Sequence, residues 1–309
     1  MCGKMKTSPK VNIILATYNG EKFIENQLDS IIKQTYDNMD IYIRDDGSRD
    51  STETIIQKYA EQSDRNIYIL DNEGKNLRCP KSFYEIIRKC KKADYYALSD
   101  QDDVWYPHKI EWAVKRLEEE RQDIPLVYYS ASDYSTIDGK IIRKSPRQKD
   151  TLKLNNVLFY TPGSGFTIVF NEKARQQFVL DVNPGKELHD RWLIRCAVCF
   201  GKLLYDERST ASHIRHEEAV TAGDAGNGSL VINFIKHELC GEDSIKEKEA
   251  LAHFEKTFKG KLKDDESKTL KLFTRKNGFV NQCKKNFLPS QITLTFRRRN
   301  CIKNFIFRR

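Results

Sequence analysis

No stretch of this 309-residue chain approaches eighteen uninterrupted apolar residues. Residues 157–170 are broken by Pro162, Gly163 and Gly165, and residues 192–205 by Arg195 and Lys202. A membrane-spanning helix is therefore not expected. Also lacking is a GxxxxGK(S/T) loop, and Asp46-Gly47-Ser48 does not carry the spaced glycines of a dinucleotide-binding turn. Any phosphate bound here must be held by something other than a glycine-rich cradle. The first ten residues hold two early lysines, Lys4 and Lys6, but no small-residue cleavage site before Val11, so a secretory leader is not expected. The eight cysteines follow no repeating frame, and a chain of this length needs no disulfide staples, which points to a reducing cytoplasmic compartment. Cys196 and Cys199 form a lone CxxC in an apolar helical stretch and read as core packing rather than a zinc or redox pair. There is no internal repeat.

What the chain has in excess is positive charge, and it is unevenly placed. Residues 275–309 hold ten Lys or Arg and no Asp or Glu, more than the whole-chain net charge of +9. The remainder is near neutral. Phe287, Leu288, Ile292, Leu294, Phe296, Ile302, Phe305, Ile306 and Phe307 interleave with these charges, a composition suited to an anionic membrane surface or to a solvated tail. No nucleic-acid motif accompanies the charge, so nucleic acid is not expected as a partner.

The first hundred residues alternate strand and helix. Strands are predicted at 11–16, 41–43, 67–70 and 95–98, and helices at 21–34, from a Ser51 cap to 60, and at 82–90. Pro107 is placed to open a helix over 108–121. A strand at 126–130, a hairpin turn at Asp138-Gly139, a glycine-introduced strand at 163–170, helices at 172–180 and 189–199, and a short strand and loop at 205–206 and 211–216 follow. The fold class is α/β, with a mainly parallel central sheet flanked by helices and a ligand crevice beyond the carboxyl ends of the strands. Residues 223–229 are a connector, and a charged helical extension leads into the basic tail. The expected division is 1–225 for the α/β domain and 226–309 for the extension.

Polar residues gather at the strand ends: Thr17, Tyr18 and Asn19, then Asp45 and Asp46, then Asp100, Asp102 and Asp103. Crowded carboxylates repel one another unless a cation sits between them, and alternation along a strand would put Asp100 and Asp102 on one side. Such a set suits a nucleotide diphosphate with a hard cation, Mg2+ or Mn2+, held by one or two carboxylates and by phosphate oxygens. A calcium loop starting at Asp100 would place Glu111 at its twelfth position, but Trp105 stands where the sharp turn needs glycine. Taken singly, Asp45 and Asp46 before Gly47 suit a turn, Asp103 a backbone contact near Pro107, and Asp190 a first-turn acid favoured by the helix dipole. Trp105 and Trp192 read as packing residues.

Five segments occur together in one order: Ala16-Thr17-Tyr18-Asn19-Gly20, residues 44–52 around Asp45-Asp46-Gly47-Ser48, residues 98–105 reading LSDQDDVW, residues 165–171, and His189-Asp190-Arg191-Trp192. This set resembles the family 2 glycosyltransferases with a GT-A fold, over roughly residues 10–225, and is most similar to the bacterial rhamnosyltransferase-like branch that builds surface polysaccharides such as O-antigen or capsule. The resemblance implies inverting transfer of a sugar, from dTDP-rhamnose or a UDP-hexose, to an acceptor hydroxyl on a lipid-linked or other glycan at the inner face of the bacterial membrane. It implies that Thr17, Tyr18 and Asn19 line the nucleotide pocket and that Asp45 or Asp46 accepts from the base. It further implies that Asp102 ligates the metal, that Asp100 binds the ribose or the metal shell, and that Asp190 is the catalytic base.

Two segments depart from the family pattern. In His213-Ile214-Arg215-His216, His216 keeps its place for metal or diphosphate while the arginine is displaced by one position, leaving Arg215 or His213 as alternative contacts. Arg78 replaces a usual small residue and would reach either the diphosphate or the surface. The competing expectation is a non-catalytic nucleotide- or carbohydrate-binding protein that has kept the fold.

Overall fold

The computed structural model describes residues 8–148, 151–158, 160–181, 187–214 and 242–274. The Gly-rich connector, His216 and the basic tail lie outside them. Strands β1 (Val11–Thr17), β2 (Met39–Asp45), β3 (Asn66–Ile69) and β4 (Tyr95–Ser99) alternate with helices α1 (Ile24–Ile32), α2 (Thr52–Gln62) and α3 (Lys81–Lys89). These four strands pair in parallel, in the order β3-β2-β1-β4. β1, β2 and β4 are buried along nearly their whole length because both of their faces are covered. Ile13 and Leu15 enter the core beneath α1 and α2, whereas Ile14 joins the opposite core with Phe83 and Ile86 of α3.

The second half makes the sheet mixed rather than mainly parallel. It comprises β5 (Asp103–Trp105), α4 (Lys109–Glu118), β6 (Leu126–Ser135), β7 (Ile141–Lys144), α5 (Leu154–Val157), a 3-10 turn at Gly165–Thr167, β8 (Val169–Asn171), α6 (Glu172–Phe178), α7 (His189–Phe200) and β9 (Lys202–Ile214). β8 runs antiparallel to both β4 and β6, β6 is parallel to β9, and β5 closes the edge antiparallel to β9. β7 pairs only with β6, as the hairpin expected at Asp138-Gly139.

Three expectations are corrected here. The strand predicted over 163–170 starts only at Val169: Gly165 begins the 3-10 turn before it, and its missing Cβ makes room for His189, whose Nε2 would lie 3.0 Å from such an atom. The last strand is one 13-residue element, because β6 and β5 flank it on either side. Ser51 stands at the N-cap of α2 without a side-chain bond; Asp50 Oδ1 instead accepts from the Thr52 N–H at 3.0 Å and from its hydroxyl at 2.5 Å.

Two further helices, α8 (Glu242–Thr257) and α9 (Asp264–Thr274), follow in the chain. Trp192 of α7 contacts the rings of Phe254 and Phe258 at 5.1 and 5.5 Å, and His253 meets Asp181 at 2.7 Å. Phe254, Phe258, Leu270 and Phe273 thereby complete the core on the α3–α7 side of the sheet. Trp105 and Trp192 are buried packing residues, and Cys196 and Cys199 are buried free thiols in α7, as expected.

Candidate active site

Parallel pairing brings the ends of β1, β2 and β4 to one side, with Thr17 opposite Asp45 and Leu15 opposite Ser99. The chain then turns sharply after each strand. Asp45 organises the turn beyond β2: one oxygen accepts from the N–H groups of Gly47 (2.9 Å) and Ser48 (2.7 Å), the other from the hydroxyls of Ser48 (2.6 Å) and Thr17 (2.9 Å). Gly47 takes φ +84°, a conformation that favours glycine. Asp46 forms an ion pair with the buried Arg44 and accepts the Arg78 N–H at 2.6 Å. Arg78 itself has φ +59° and an exposed side chain.

Thr17 is buried while Tyr18 is 45% exposed, so the wall of the cleft presents the Tyr18 ring. The Tyr18 peptide is gripped at both ends by the Gln101 amide, which accepts its N–H at 2.8 Å and donates to its carbonyl at 3.1 Å. Asn19, at φ +47°, donates its N–H to Ser48 Oγ and accepts the Arg49 N–H.

Asp100 and Asp102 do not alternate along a strand. β4 ends at Ser99, and Asp100 to Asp102 form the turn into β5. Burial and then the negative charges of Asp103, Asp102 and Asp190 hold Asp100 well above the usual carboxylate range. Asp103 is buried and pushed up to about 6, by burial foremost, against the lowering effect of His213, whose Nδ1 lies 2.7 Å from Asp103 Oδ1. Its other oxygen, Oδ2, is buried without a hydrogen-bond partner. His213 stacks on Phe166 at 5.6 Å and meets the Tyr134 ring edge-on at 5.8 Å.

Asp190 is on the first turn of α7 and accepts the Arg191 N–H at 2.7 Å. α7 is anchored just before it by the buried Glu187–Arg195 ion pair, with Arg195 also donating to the Leu158 carbonyl at 2.7 Å. Arg191 reaches the Thr161 hydroxyl at 3.1 Å. His189 is buried against Phe83 at 3.9 Å between ring centres, and burial lowers its pKa. Asp100 and Asp190 lie close enough to act on one another, and both raise the thiol of Cys79, whose pKa burial pushes up to about 12. Acid turn and helix start are thus near one another.

Sequence reasoning missed Gln101 and Lys109. Gln101 sits between acids that drew the eye, and its partner signal was Gly20: a Cβ there would come within 2.5 Å of Gln101 Oε1. Lys109 occupies an apolar-face position, four residues before Ala113 and eight before Leu117, and is fully buried. Its ammonium lies 4.9 Å from the Trp105 ring centre and 3.3 Å from Thr210 Oγ1, and burial lowers its pKa to about 7. His216 and Arg215 lie outside the described residues.

Among the described residues no three His, Cys, Asp or Glu side chains converge into a ready cation cage. A hard cation on a diphosphate needs only one or two carboxylates, the phosphate oxygens filling the rest of its shell. Carboxylates held above their usual range by burial first and by mutual repulsion second, with an unsatisfied buried oxygen among them, fit such an ion.

The model of glycosyl transferase family 2 matches residues 12–173 of the 309. The dTDP-rhamnosyl transferase RfbG of Shigella flexneri is 32% identical over 166 residues, 53% of this chain and 48% of that protein. An uncharacterized glycosyltransferase of Haemophilus influenzae is 28% identical over 71% of this chain and 72% of its own length. The chain thus spans about half of the rhamnosyl transferase it matches. Among solved structures, residues 1–349 of S. aureus TarS superpose with a TM-score of 0.59 at 14% identity, covering 86% of this chain and 69% of that one. The mannosyltransferase PcManGT of Pyrobaculum calidifontis, solved with GDP-Man and Mn2+, does so at 0.52 and 14%, covering 97% and 87%. With the family model spanning half the chain and the strand ends carrying its acids, the chain belongs to glycosyl transferase family 2, on a GT-A fold.

Proposed function

We propose that this chain transfers a sugar, with inversion at the anomeric carbon, from a nucleotide diphosphate to an acceptor hydroxyl in bacterial surface polysaccharide biosynthesis. The observation that carries the reading is the nearness of Asp190, at the start of α7, to the Asp100–Asp103 turn. Thr17, Tyr18, Asn19, Asp45 and Asp46 form the side on which a nucleotide would rest, with the exposed Tyr18 ring available to a base and Arg78 at the rim available to the diphosphate. Asp190 takes the acceptor proton onto its carboxylate as the acceptor oxygen bonds the anomeric carbon and the bond to the diphosphate oxygen breaks. Asp102 and Asp100, with His216 as a further donor, would hold Mg2+ or Mn2+. Bound there, the ion supplies counter-charge to the departing diphosphate.

The relatives support rhamnose from a dTDP donor, by the name of RfbG, while TarS is solved with UDP-GlcNAc and PcManGT with GDP-Man. The fold therefore admits several bases, and the family resemblance favours dTDP-rhamnose. No described helix is long and apolar enough to cross a membrane. We place the protein at the cytoplasmic membrane face through its basic tail, residues 275–309, acting on a lipid-linked glycan. Thermal-shift measurements against dTDP-, UDP- and GDP-sugars, with and without Mn2+, test the donor. Stabilisation by one nucleotide class only with metal is expected, and no response to any nucleotide sugar overturns the assignment.

A further inference from the structure

The β6–β7 hairpin has no part in this chemistry, yet it carries an unusual surface. Ile137, Ile141 and Ile142 are 70%, 57% and 51% exposed. Lys140, Arg143, Lys144 and Arg147 surround them in residues 136–148, against the single acid Asp138. We propose that this hairpin is a docking element for an anionic lipid surface, seating the rim of the catalytic cleft against a bilayer. The inference deepens the membrane-facing part of the reading above and rests on it for the acceptor.

The position follows from the register. Tyr134, at the end of β6, is the pairing partner of His213, which bonds Asp103, so the hairpin projects from the acid-cluster side of the sheet. Arg143 lies 4.0 Å from the centre of the Tyr134 ring, which stiffens the base of the projection. Beyond β7, Gln148 accepts the hydroxyl of Tyr160, itself 37% exposed, at 3.2 Å. At the hairpin's root a cavity of about 380 Å³ is lined by Lys144, Ser145, Arg147, Tyr205, Glu207 and Arg208. Arg147 faces the exposed Glu207 at 3.5 Å and Arg208 binds Asp206 at 2.6 Å, so both arginines of the lining are paired with carboxylates and the attraction to a bilayer rests on the hairpin's own cations.

Charge complementarity selects the occupant. A second copy docked here would bring the same basic surface against itself, and an RNA strand would find isoleucines where stacking needs rings. An anionic bilayer uses both halves, burying the apolar tip among its acyl chains and drawing the basic residues to its headgroups.

The test uses the full chain and vesicles of phosphatidylglycerol mixed with phosphatidylcholine, compared with phosphatidylcholine alone. Ile137→Ser/Ile141→Ser/Ile142→Ser should lower partitioning onto the anionic vesicles at least about tenfold, and Lys140→Gln/Lys144→Gln roughly fivefold per charge. An Ile141→Trp variant should shift its emission to the blue on adding anionic vesicles and be quenched by brominated lipid, a signal that binding through residues 275–309 alone would not produce. Unchanged emission at saturating vesicles, or unchanged partitioning of the triple variant, overturns the proposal. So does RNA binding or self-association that depends on the isoleucines while vesicle binding does not. Nucleotide-sugar thermal shifts on the same variants, expected to match the parent, report separately on the transferase reading.

Discussion

Asp190 and Lys109 mark two extremes of what a single residue does here. Asp190, partly exposed at a helix start, has its backbone neighbours fixed by the buried Glu187–Arg195 pair. Asp190→Asn keeps that shape and removes the carboxylate proposed as the base. We expect kcat to fall by about 10²–10⁴ while the thermal shift given by the nucleotide sugar persists; undiminished turnover would show that Asp190 is not the base. Lys109 is buried with its pKa lowered from 10.5 to about 7. Its unfolded form binds more protons between those values, so the cost of burying the ammonium is full below pH 7 and fades as pH rises toward 10.5. Lys109→Met should therefore stabilise the fold at pH 6 by more than at pH 9, by roughly 3 kcal/mol at about 1.4 kcal/mol per unit. Denaturant midpoints of both proteins at the two pH values measure it, and an equal gain at both would refute the buried-ammonium account.

Elements hold the two sides of the cleft through few contacts. The Gln101 amide ties the end of β1 to the β4–β5 turn with two hydrogen bonds. Gln101→Ala should weaken nucleotide diphosphate binding about fivefold to tenfold in calorimetry, with the thermal midpoint of the apoprotein little changed. Gly201 ends α7 where a Cβ would run into the carbonyl oxygen of Pro125, just before β6. Gly201→Ala should cost about 3 kcal/mol, read as a lower urea midpoint at unchanged m-value. Strands β1, β2 and β4 were legible in the sequence because both faces are buried and each centres on a short apolar run, Ile13–Ala16, Ile41–Ile43 and Tyr95–Leu98. β5 was not, for it has three residues and its partner lies more than a hundred positions away. The glycines at 163 and 165 misled about where the strand begins for a physical reason: they yield space to Tyr129 and His189 ahead of Val169. The acids themselves were visible, but their placement in a turn and the amide between them depend on tertiary pairing.

At the scale of the whole molecule, α8 and α9 share a core with α7 and the sheet. Phe254 is fully buried against Trp192 and Phe258. Phe254→Ala should lower stability by about 3–5 kcal/mol and leave one cooperative transition; a separate early transition in fluorescence would show that the C-terminal helices come away alone. The bond between Asp103 and His213 spans 110 positions. It imposes an order on synthesis. The β1–α3 half, with Thr17, Asp45 and Asp46, is complete from sequence-local pairings before β9 leaves the ribosome, whereas Asp103 must wait for the last strand of the sheet. A nascent chain thus carries the nucleotide wall well before its acid cluster is closed, and its buried Asp103 acquires its imidazole partner only when nearly the whole transferase fold has been made.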